Sequence, residues 1–301
     1  MRGDGRDRLL VRLAPPIGSA LGRNGAAGWP MEARMTGTAN RKIAFVLAGS
    51  DHGTMIVNRF DYHMVDDKHG FGVGFDILNS SSFDRPGVDF ALGLLKLRRQ
   101  YYGDGVRAID CGANIGVFTV EWARAMTGWG SVIAIEAQEP VFYALAGNIA
   151  INNCFNARAI LACASDKVGV MKVPILDYSR PASFGSVEVK KREQPEFIGQ
   201  KIDYSDQATA EIPCLTLDSL NLERADLIKV DVEGMEQEVL AGSINLVRHK
   251  RPVVLVEFIK SDKDKLRDWF TALDYSLFEF GMNWIGIHKS DKTLANIKVD
   301  R

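Results

Sequence analysis

The amino-acid sequence predicts an α/β fold: an open, mostly parallel sheet with an antiparallel C-terminal hairpin, plus a small N-terminal extension. Apolar runs of strand length alternate with helix-length segments from about residue 101 onward, and several of these runs end in an acidic residue. Two aromatic-rich strands around a short turn close the chain. Alternating strands and helices are typical of a parallel sheet, to which a terminal hairpin adds an antiparallel edge.

The sequence divides into three predicted parts. Residues 1–40 mix Arg, Gly, Pro and Ala and are expected to be disordered, or to be upstream sequence ahead of a later start at Met31 or Met35. Residues 41–100 are expected to form strands and a helix that cover a substrate or cofactor site, and residues 101–301 to form the ligand-binding domain. The elements predicted in the middle part are strands Lys42–Leu47 and Gly53–Asn58, a turn or flexible loop at Gly70–Gly74, and a helix from Asp84 or Arg85 to Arg99.

The most informative segment begins with a predicted buried strand, Val106–Ile109, that leads to Asp110. A turn through Gly112 and Gly116 follows, and then the apolar-periodic helix Val117–Ala123. Glycine suits this turn because the backbone must bend sharply and approach a ligand without a Cβ. The glycines alone fit any tight turn of an α/β protein, but their spacing after an acid, acid-x-Gly-x-Asn-x-Gly, differs from the NAD-binding pattern and favours S-adenosylmethionine.

The next two strands supply further candidate ligands. The run Ser131–Glu136 places the Glu136 carboxylate at a strand end, where it can accept hydrogen bonds from the ribose hydroxyls of a nucleoside cofactor. The third buried run, Ala159–Ala164, ends at Ser165 and Asp166. Those two residues suit either contact with an adenine or the capping of a turn.

The C-terminal half carries more acids at strand ends. The strand Ala225–Val230 leads to Asp231 and Glu233, and one helix is predicted from Met235 through Val247. Asp231 is the better candidate for contact with a reacting centre, whereas Glu233 suits helix capping as well as a direct role. The other predicted features are a lid or recognition flap within residues 175–210, strand Pro252–Phe258 with Glu257, a helix capped by Ser261, and a hairpin of Ser276–Phe280 and Trp284–His288.

Composition excludes several classes of protein. The net charge of −1 gives no global field for nucleic acid or an anionic membrane. No apolar run approaches the roughly 20 residues of a membrane span, and the N-terminal segment does not read as a secretory signal. The four cysteines are widely spaced, no Cys/His cluster predicts a metal site, and buried free thiols in the cytoplasm are expected. Nothing in the sequence indicates a particular oligomeric state.

Two segments, Asp110–Gly116 and Leu227–Glu236, resemble the signature segments of FkbM family methyltransferases, and Ala146–Asn153 also fits that family. The resemblance implies a class I methyltransferase fold that binds S-adenosylmethionine within residues 101–301. It implies transfer of the methyl group to a hydroxyl of a small molecule, such as a sugar, a glycan or a polyketide-like product. The implied cofactor contacts are Asp110, Gly112, Asn114 and Gly116 near the methionine part, Glu136 at the ribose, and Ser165 and Asp166 near the adenine.

Methyl transfer mainly requires alignment of an acceptor oxygen with the sulfonium methyl, together with a base for the hydroxyl proton. Asp231 is predicted to be that base or to orient the acceptor, with Glu257 and His63 as weaker candidates. A metal-dependent variant would use Asp231, Glu233 and Glu257, although no ligand spacing requires a metal. Two alternatives are an NAD-linked oxidoreductase, whose glycine spacing is absent, and a non-catalytic protein that keeps the cofactor pocket as a scaffold or sensor.

Overall fold

The computed structural model describes residues 42–66, 69–193 and 195–297, so the predictions for residues 1–40 lie outside the described residues. Within these ranges the chain alternates strands and helices. The strands are β1 (Phe45–Ser50), β2 (Gly53–Asn58), β3 (His63–Met64), β4 (Gly70–Phe71), β5 (Val106–Cys111), β6 (Gly130–Glu136), β7 (Ala157–Leu161), β8 (Cys163–Ala164), β9 (Gly169–Pro174), β10 (Thr209–Leu215), β11 (Leu227–Val230), β12 (Val253–Glu257), β13 (Tyr275–Phe280) and β14 (Asn283–His288). The helices are α1 (Val73–Ser80), α2 (Arg85–Tyr102), α3 (Val117–Ala125), α4 (Glu139–Ile151), α5 (Glu236–Ala241), α6 (Ile244–Lys250) and α7 (Lys263–Ala272).

Seven strands form the central sheet in the order β13-β14-β12-β11-β5-β6-β7. β5, β6, β7, β11 and β12 pair in parallel, whereas β14 is antiparallel to both of its neighbours. This confirms the predicted sheet and its C-terminal hairpin. The order of the strands reverses between β5 and β11: β5, β6 and β7 follow one another toward one edge of the sheet, and β11 and β12 follow one another toward the other. In an open α/β sheet, a ligand binds outside the carboxyl ends of the strands at such a change of direction.

The central strands are buried on both faces, which explains their nearly continuous apolar runs. Along β5, Val106 and Ala108 face a core formed with α2 and α3, while Ile109 and Cys111 face a core formed with α5, α6 and α7. Asp110 alternates with the second pair and therefore lies on the α2–α3 side of the sheet. Among the described residues, no helix combines the length and apolar character that crossing a membrane requires.

The N-terminal hairpin of β1 and β2 packs on α4. Asn148 joins them, because its Oδ1 accepts the Ile56 backbone N–H at 2.5 Å and its Nδ2 donates to the Ile56 carbonyl at 3.2 Å. The prediction of a loop through Gly74 is wrong, since α1 begins at Val73. In the first turn of α1, the Gly74 N–H donates to Asp61 Oδ2 at 2.9 Å. Because Asp61 lies thirteen residues before Gly74, the sequence next to α1 gives no sign that a helix begins there.

Three further element predictions are corrected. The third buried run divides after Leu161, so that β7 joins the central sheet while β8 pairs with β10 in a separate small sheet. The helix after Met235 divides into α5 and α6 at Gly242, where an added Cβ would overlap the carbonyl oxygen of Ser165. Asp262, and not Ser261, caps α7 by accepting the Asp264 and Lys265 backbone N–H groups.

Candidate active site

The glycine turn between β5 and α3 fits tightly against its neighbours. Gly112 has a φ of +76°, and a Cβ at this position would overlap the backbone carbonyl oxygen of Asp231. Gly116 has a φ of +92°, and a Cβ there would lie 2.6 Å from the Leu145 side chain. Both positions therefore require glycine for conformation and for space, which is what the sequence pattern predicts.

Glu136, at the end of β6, lies against this turn. Its Oε2 accepts the backbone N–H of Asn114 at 3.0 Å, and its Oε1 accepts that of Gln138 at 2.8 Å. Asn114 has a φ of +51°, a left-handed conformation that asparagine tolerates. Burial raises the pKa of Glu136 to about 7, although the backbone donors oppose this shift. Each carboxylate oxygen keeps a lone pair for a ligand hydroxyl.

Asp110 carries an unsatisfied acceptor. Its side chain is about 1% exposed, and its Oδ2 accepts the Thr119 hydroxyl at 2.6 Å. Its Oδ1 is buried with no hydrogen-bond partner among the described residues. Burial raises the pKa of Asp110, against the opposing charge of Lys229. A buried acceptor without a partner costs about 1–3 kcal/mol, so this oxygen is suited to a donor on a ligand.

Asp110, Gly112, Asn114 and Glu136 line a cavity of about 590 Å³ at the carboxyl ends of the central strands, whereas Gly116 is not among its lining residues. This volume is in the usual range for small-molecule sites. Segments outside the central sheet also line it, among them residues 71–87 and residues 183–189 of the long segment that precedes β10. The acidic and basic side chains among these lining residues, apart from the thiol of Cys163, are seven carboxylates and one ammonium group: Asp76, Asp84, Asp110, Glu136, Asp231, Glu233, Glu257 and Lys229.

Three of the carboxylates form an acidic end of the cavity. Oxygens of Asp231, Glu233 and Glu257 lie within 4.8 Å of one another, which is compact enough to hold a metal ion. Asp231 Oδ2 accepts Lys229 Nζ at 2.8 Å, and Glu233 Oε2 accepts Lys260 Nζ at 2.5 Å. The Glu257 carboxylate has neither a hydrogen bond nor an ion pair within the described ranges.

Burial and then the charge of Asp231 raise the pKa of Glu233 to about 8 and that of Glu257 to about 7. Burial by itself lowers the pKa of Lys229, but attraction to Asp231 and Asp110 outweighs it and holds that pKa above its usual value. The acidic end therefore contains two carboxylates paired with lysines and one that is unpaired.

Some predicted site residues lie elsewhere. Ser165 and Asp166 are not among the residues that line the cavity. Ser165 packs at the junction of α5 and α6, and its hydroxyl donates to Asp166 Oδ1 at 3.1 Å. The three residues directly before them, Ala162, Cys163 and Ala164, do line the cavity. His63 also lies outside the lining and packs edge-on against Phe71 and Phe197.

Sequence patterns missed several residues of this site. Lys229 gave a signal, because a lysine inside a buried strand requires a charged partner. Gln138, Phe184 and Lys260 gave none, since their contacts depend on how distant segments pack. Gln138 Nε2 donates to the Phe184 carbonyl at 2.8 Å, across 46 positions of sequence.

The family model for the FkbM methyltransferase domain matches residues 110–277, more than half of the chain and the part that carries this site. The chain belongs to the FkbM methyltransferase family. Its sheet, with a single antiparallel strand next to the edge, is the class I methyltransferase fold. No curated protein matches the chain.

Among solved structures, the chain is similar to the methyltransferase FkbM from Methylobacillus flagellatus KT, with 16% identity and a TM-score of 0.44 over 62% of this chain and 46% of that one. It is also similar to precorrin-6y C5,15-methyltransferase from Geobacter metallireducens GS-15, with 12% identity and a TM-score of 0.40 over 69% and 90%. A third is the tRNA (uracil-54, C5)-methyltransferase of Pyrococcus abyssi in complex with S-adenosyl-L-homocysteine, with 12% identity and a TM-score of 0.38 over 81% and 44%. The chain spans less than half the length of the first of these proteins.

Proposed function

We propose that this protein transfers a methyl group from S-adenosylmethionine to a hydroxyl of a small molecule. The observation that carries the proposal is the junction of the Gly112 turn with two buried carboxylates, Asp110 and Glu136, where β5 and β6 end. Asp110 has a buried oxygen without a hydrogen-bond partner among the described residues, and Glu136 is fixed by two backbone donors. Both features suit a nucleoside cofactor with additional hydrogen-bond donors.

The residues present fit S-adenosylmethionine. Asp110 Oδ1 would accept a donor from the methionine part, and Glu136 would accept the ribose hydroxyls. Gly112 and Asn114 would let the backbone approach the cofactor closely. When bound, the cofactor supplies an activated methyl group on a sulfonium. A lining of seven carboxylates and one ammonium also suits a cation of this kind.

The same charges support a hydroxylated and uncharged acceptor, such as a sugar, a glycan or a polyketide-like molecule. A phosphate group would meet the unpaired Glu257 and its acidic neighbours, and like charges in a partly buried site repel strongly. The proposal therefore excludes nucleic acid as the acceptor. A cytoplasmic location belongs to the proposal and is supported by four cysteines that are buried and free of disulfides.

The acidic end supports a division of roles between two carboxylates. Glu257 is unpaired and faces the cavity, so it is the candidate to take the proton from the acceptor hydroxyl. A pKa of about 7 suits a general base near neutral pH. Asp231 is held by Lys229 at 2.8 Å and is the candidate to orient the acceptor through its other oxygen.

Calorimetric titration with S-adenosylmethionine, S-adenosylhomocysteine and NAD tests the cofactor. We expect micromolar binding of the two adenosyl ligands and its loss in Glu136→Ala. Binding of NAD alone, or of none of the three, would overturn the proposal. Binding with no methylated product from a broad panel of hydroxylated acceptors would favour the alternative of a non-catalytic scaffold.

A further inference from the structure

Residues 183–189, here called the strap, run along the cavity without regular strand structure. Ser183, Gly185, Ser186, Val187 and Val189 line the cavity, and Phe184 is buried behind them. A single 3-10 turn over Phe184–Ser186 is the strap's own secondary structure. Its position therefore depends on a few contacts with other parts of the molecule.

The first of these contacts is next to the proposed ribose site. The Gln138 backbone N–H donates to Glu136 Oε1 at 2.8 Å, while its side-chain Nε2 donates to the Phe184 carbonyl at 2.8 Å. The Tyr178 hydroxyl donates to Gln138 Oε1 at 2.9 Å and so fixes the orientation of the amide. Gln138 is about 9% exposed, and it contacts both the ribose carboxylate and the strap.

Further contacts hold the strap elsewhere. The Phe184 N–H donates to Asp61 Oδ1 at 2.9 Å, which connects the strap to the segment between β2 and β3. At the acidic end, Lys260 Nζ donates to the Ser186 carbonyl at 3.3 Å while it binds Glu233 at 2.5 Å. Between these points, Gly185 packs closely against the Asn114 side chain, since a Cβ added at Gly185 would lie 2.8 Å from it. The strap thus extends from the ribose carboxylate to the acidic end.

We propose that Gln138 is a positioning residue that couples cofactor binding at Glu136 to the placement of the strap, and so to the acceptor. The inference rests on the proposed function. A ribose that binds Glu136 restrains the backbone of residues 136–138, and the Gln138 amide passes this restraint to the Phe184 carbonyl. Cofactor binding at Glu136 then helps to position the strap, which lines the part of the cavity where the acceptor would bind.

The test is hydrogen exchange of the strap amides with and without S-adenosylhomocysteine. In the wild-type protein we expect the ligand to slow exchange across residues 183–187. Gln138→Met keeps the backbone donor to Glu136 but removes both side-chain hydrogen bonds. This variant should bind the ligand within a few-fold of wild type and lose the slowing at the strap.

Gln200→Met is the matched control, because Gln200 Nε2 donates to the carbonyls of Asp177, Arg180 and Pro181, outside the cavity lining. It should leave the ligand-dependent slowing intact. Tyr178→Phe, which removes only the hydroxyl donor to Gln138, should weaken the slowing partially and serves if Gln138→Met does not fold. Once an acceptor is known, Gln138→Met should raise its KM by about tenfold with little change in cofactor affinity.

The outcomes separate the two proposals. If the wild-type protein does not bind S-adenosylhomocysteine, the proposed function fails and the coupling fails with it. If Gln138→Met binds the ligand and still shows slowed exchange at the strap, the coupling is wrong while the cofactor assignment stands.

Discussion

The two ends of the cavity are built in different ways. At the cofactor end, carboxylates meet backbone N–H groups and glycines that permit close approach, as at Glu136 and Gly112. At the acidic end, carboxylates meet the ammonium groups of Lys229 and Lys260. Backbone donors are fixed by the fold, whereas lysine side chains are long and their positions depend on their partners. The cofactor end should therefore tolerate substitution least, and the acidic end should be where the acceptor specificity of this protein is set.

Replacing Gly112 by alanine should have the largest effect. A positive φ costs an L-residue about 1–2 kcal/mol, and forcing a Cβ against the Asp231 carbonyl adds about 1–3 kcal/mol. We expect a loss of stability of that combined size in chemical denaturation, together with loss of cofactor binding. Gly128→Ala is the matched control, because Gly128 also has a positive φ, of +83°, but nothing within 4 Å of the added Cβ. Equal effects of the two substitutions would show that the close approach at Gly112 is unimportant.

At the acidic end, Glu257→Gln should lower kcat by about 10²–10⁴-fold, because it removes the proposed base while keeping the shape of the side chain. Cofactor affinity should change little. In the wild type, the rate should rise with pH through about 7, since the base acts only when ionised. The variant should lose that limb of the profile. Asp231→Asn should keep the limb but move it to lower pH, because the charge of Asp231 contributes to the raised pKa of Glu257. A pH profile unchanged in Glu257→Gln and abolished in Asp231→Asn would reverse the two roles.

Glu136→Gln gives a smaller effect at the cofactor end. The ribose hydroxyls would donate to the ionised carboxylate, and hydrogen bonds to a charged group contribute about 1.5–3 kcal/mol, or about 10–100-fold in affinity. Because the pKa of Glu136 is raised to about 7, wild-type affinity should fall as pH drops below that value. Calorimetry at pH 6 and pH 8 measures this dependence, which the variant should lack. An affinity that is independent of pH in the wild type would remove Glu136 from the ribose site.

The raised pKa of Glu136 also determines the sign of a stability effect without cofactor. Between its ordinary value of 4.5 and about 7, the folded protein binds this proton more strongly than the unfolded chain does. The contribution of Glu136 is therefore fully present below the unfolded pKa and is lost as pH rises through about 7. Stability of the cofactor-free wild type should decline across this interval, and Glu136→Gln should flatten the decline.

The same contrast explains how far the sequence could predict the structure. The sheet, the glycine turn and the role of β6 depend on apolar runs and on spacing within a few residues, and the structure brings Glu136 to the turn as expected. The single strand predicted for Ala159–Ala164 is wrong, because whether a buried run continues in one sheet or crosses to another depends on its neighbours and not on its own pattern. The strap lies within residues 175–210, where a lid or recognition flap was predicted, and it lines the cavity. Its contacts with Gln138 and Lys260 could not be predicted, since they join segments far apart in sequence.

Removal of metal should have the smallest effect. Three carboxylates within 4.8 Å suit a divalent cation, but the ammonium groups of Lys229 and Lys260 already neutralise Asp231 and Glu233. A dication that took over Asp231 would leave the buried ammonium group of Lys229 without this partner, which is costly, whereas Lys260 would keep Glu196 at 2.8 Å. Cofactor binding and turnover should therefore be unchanged after dialysis against EDTA, and added Mg²⁺ should not increase them. Turnover that is lost with EDTA and restored by Mg²⁺ would show instead that the acidic end holds a metal ion, and that its lysines move aside when the metal binds.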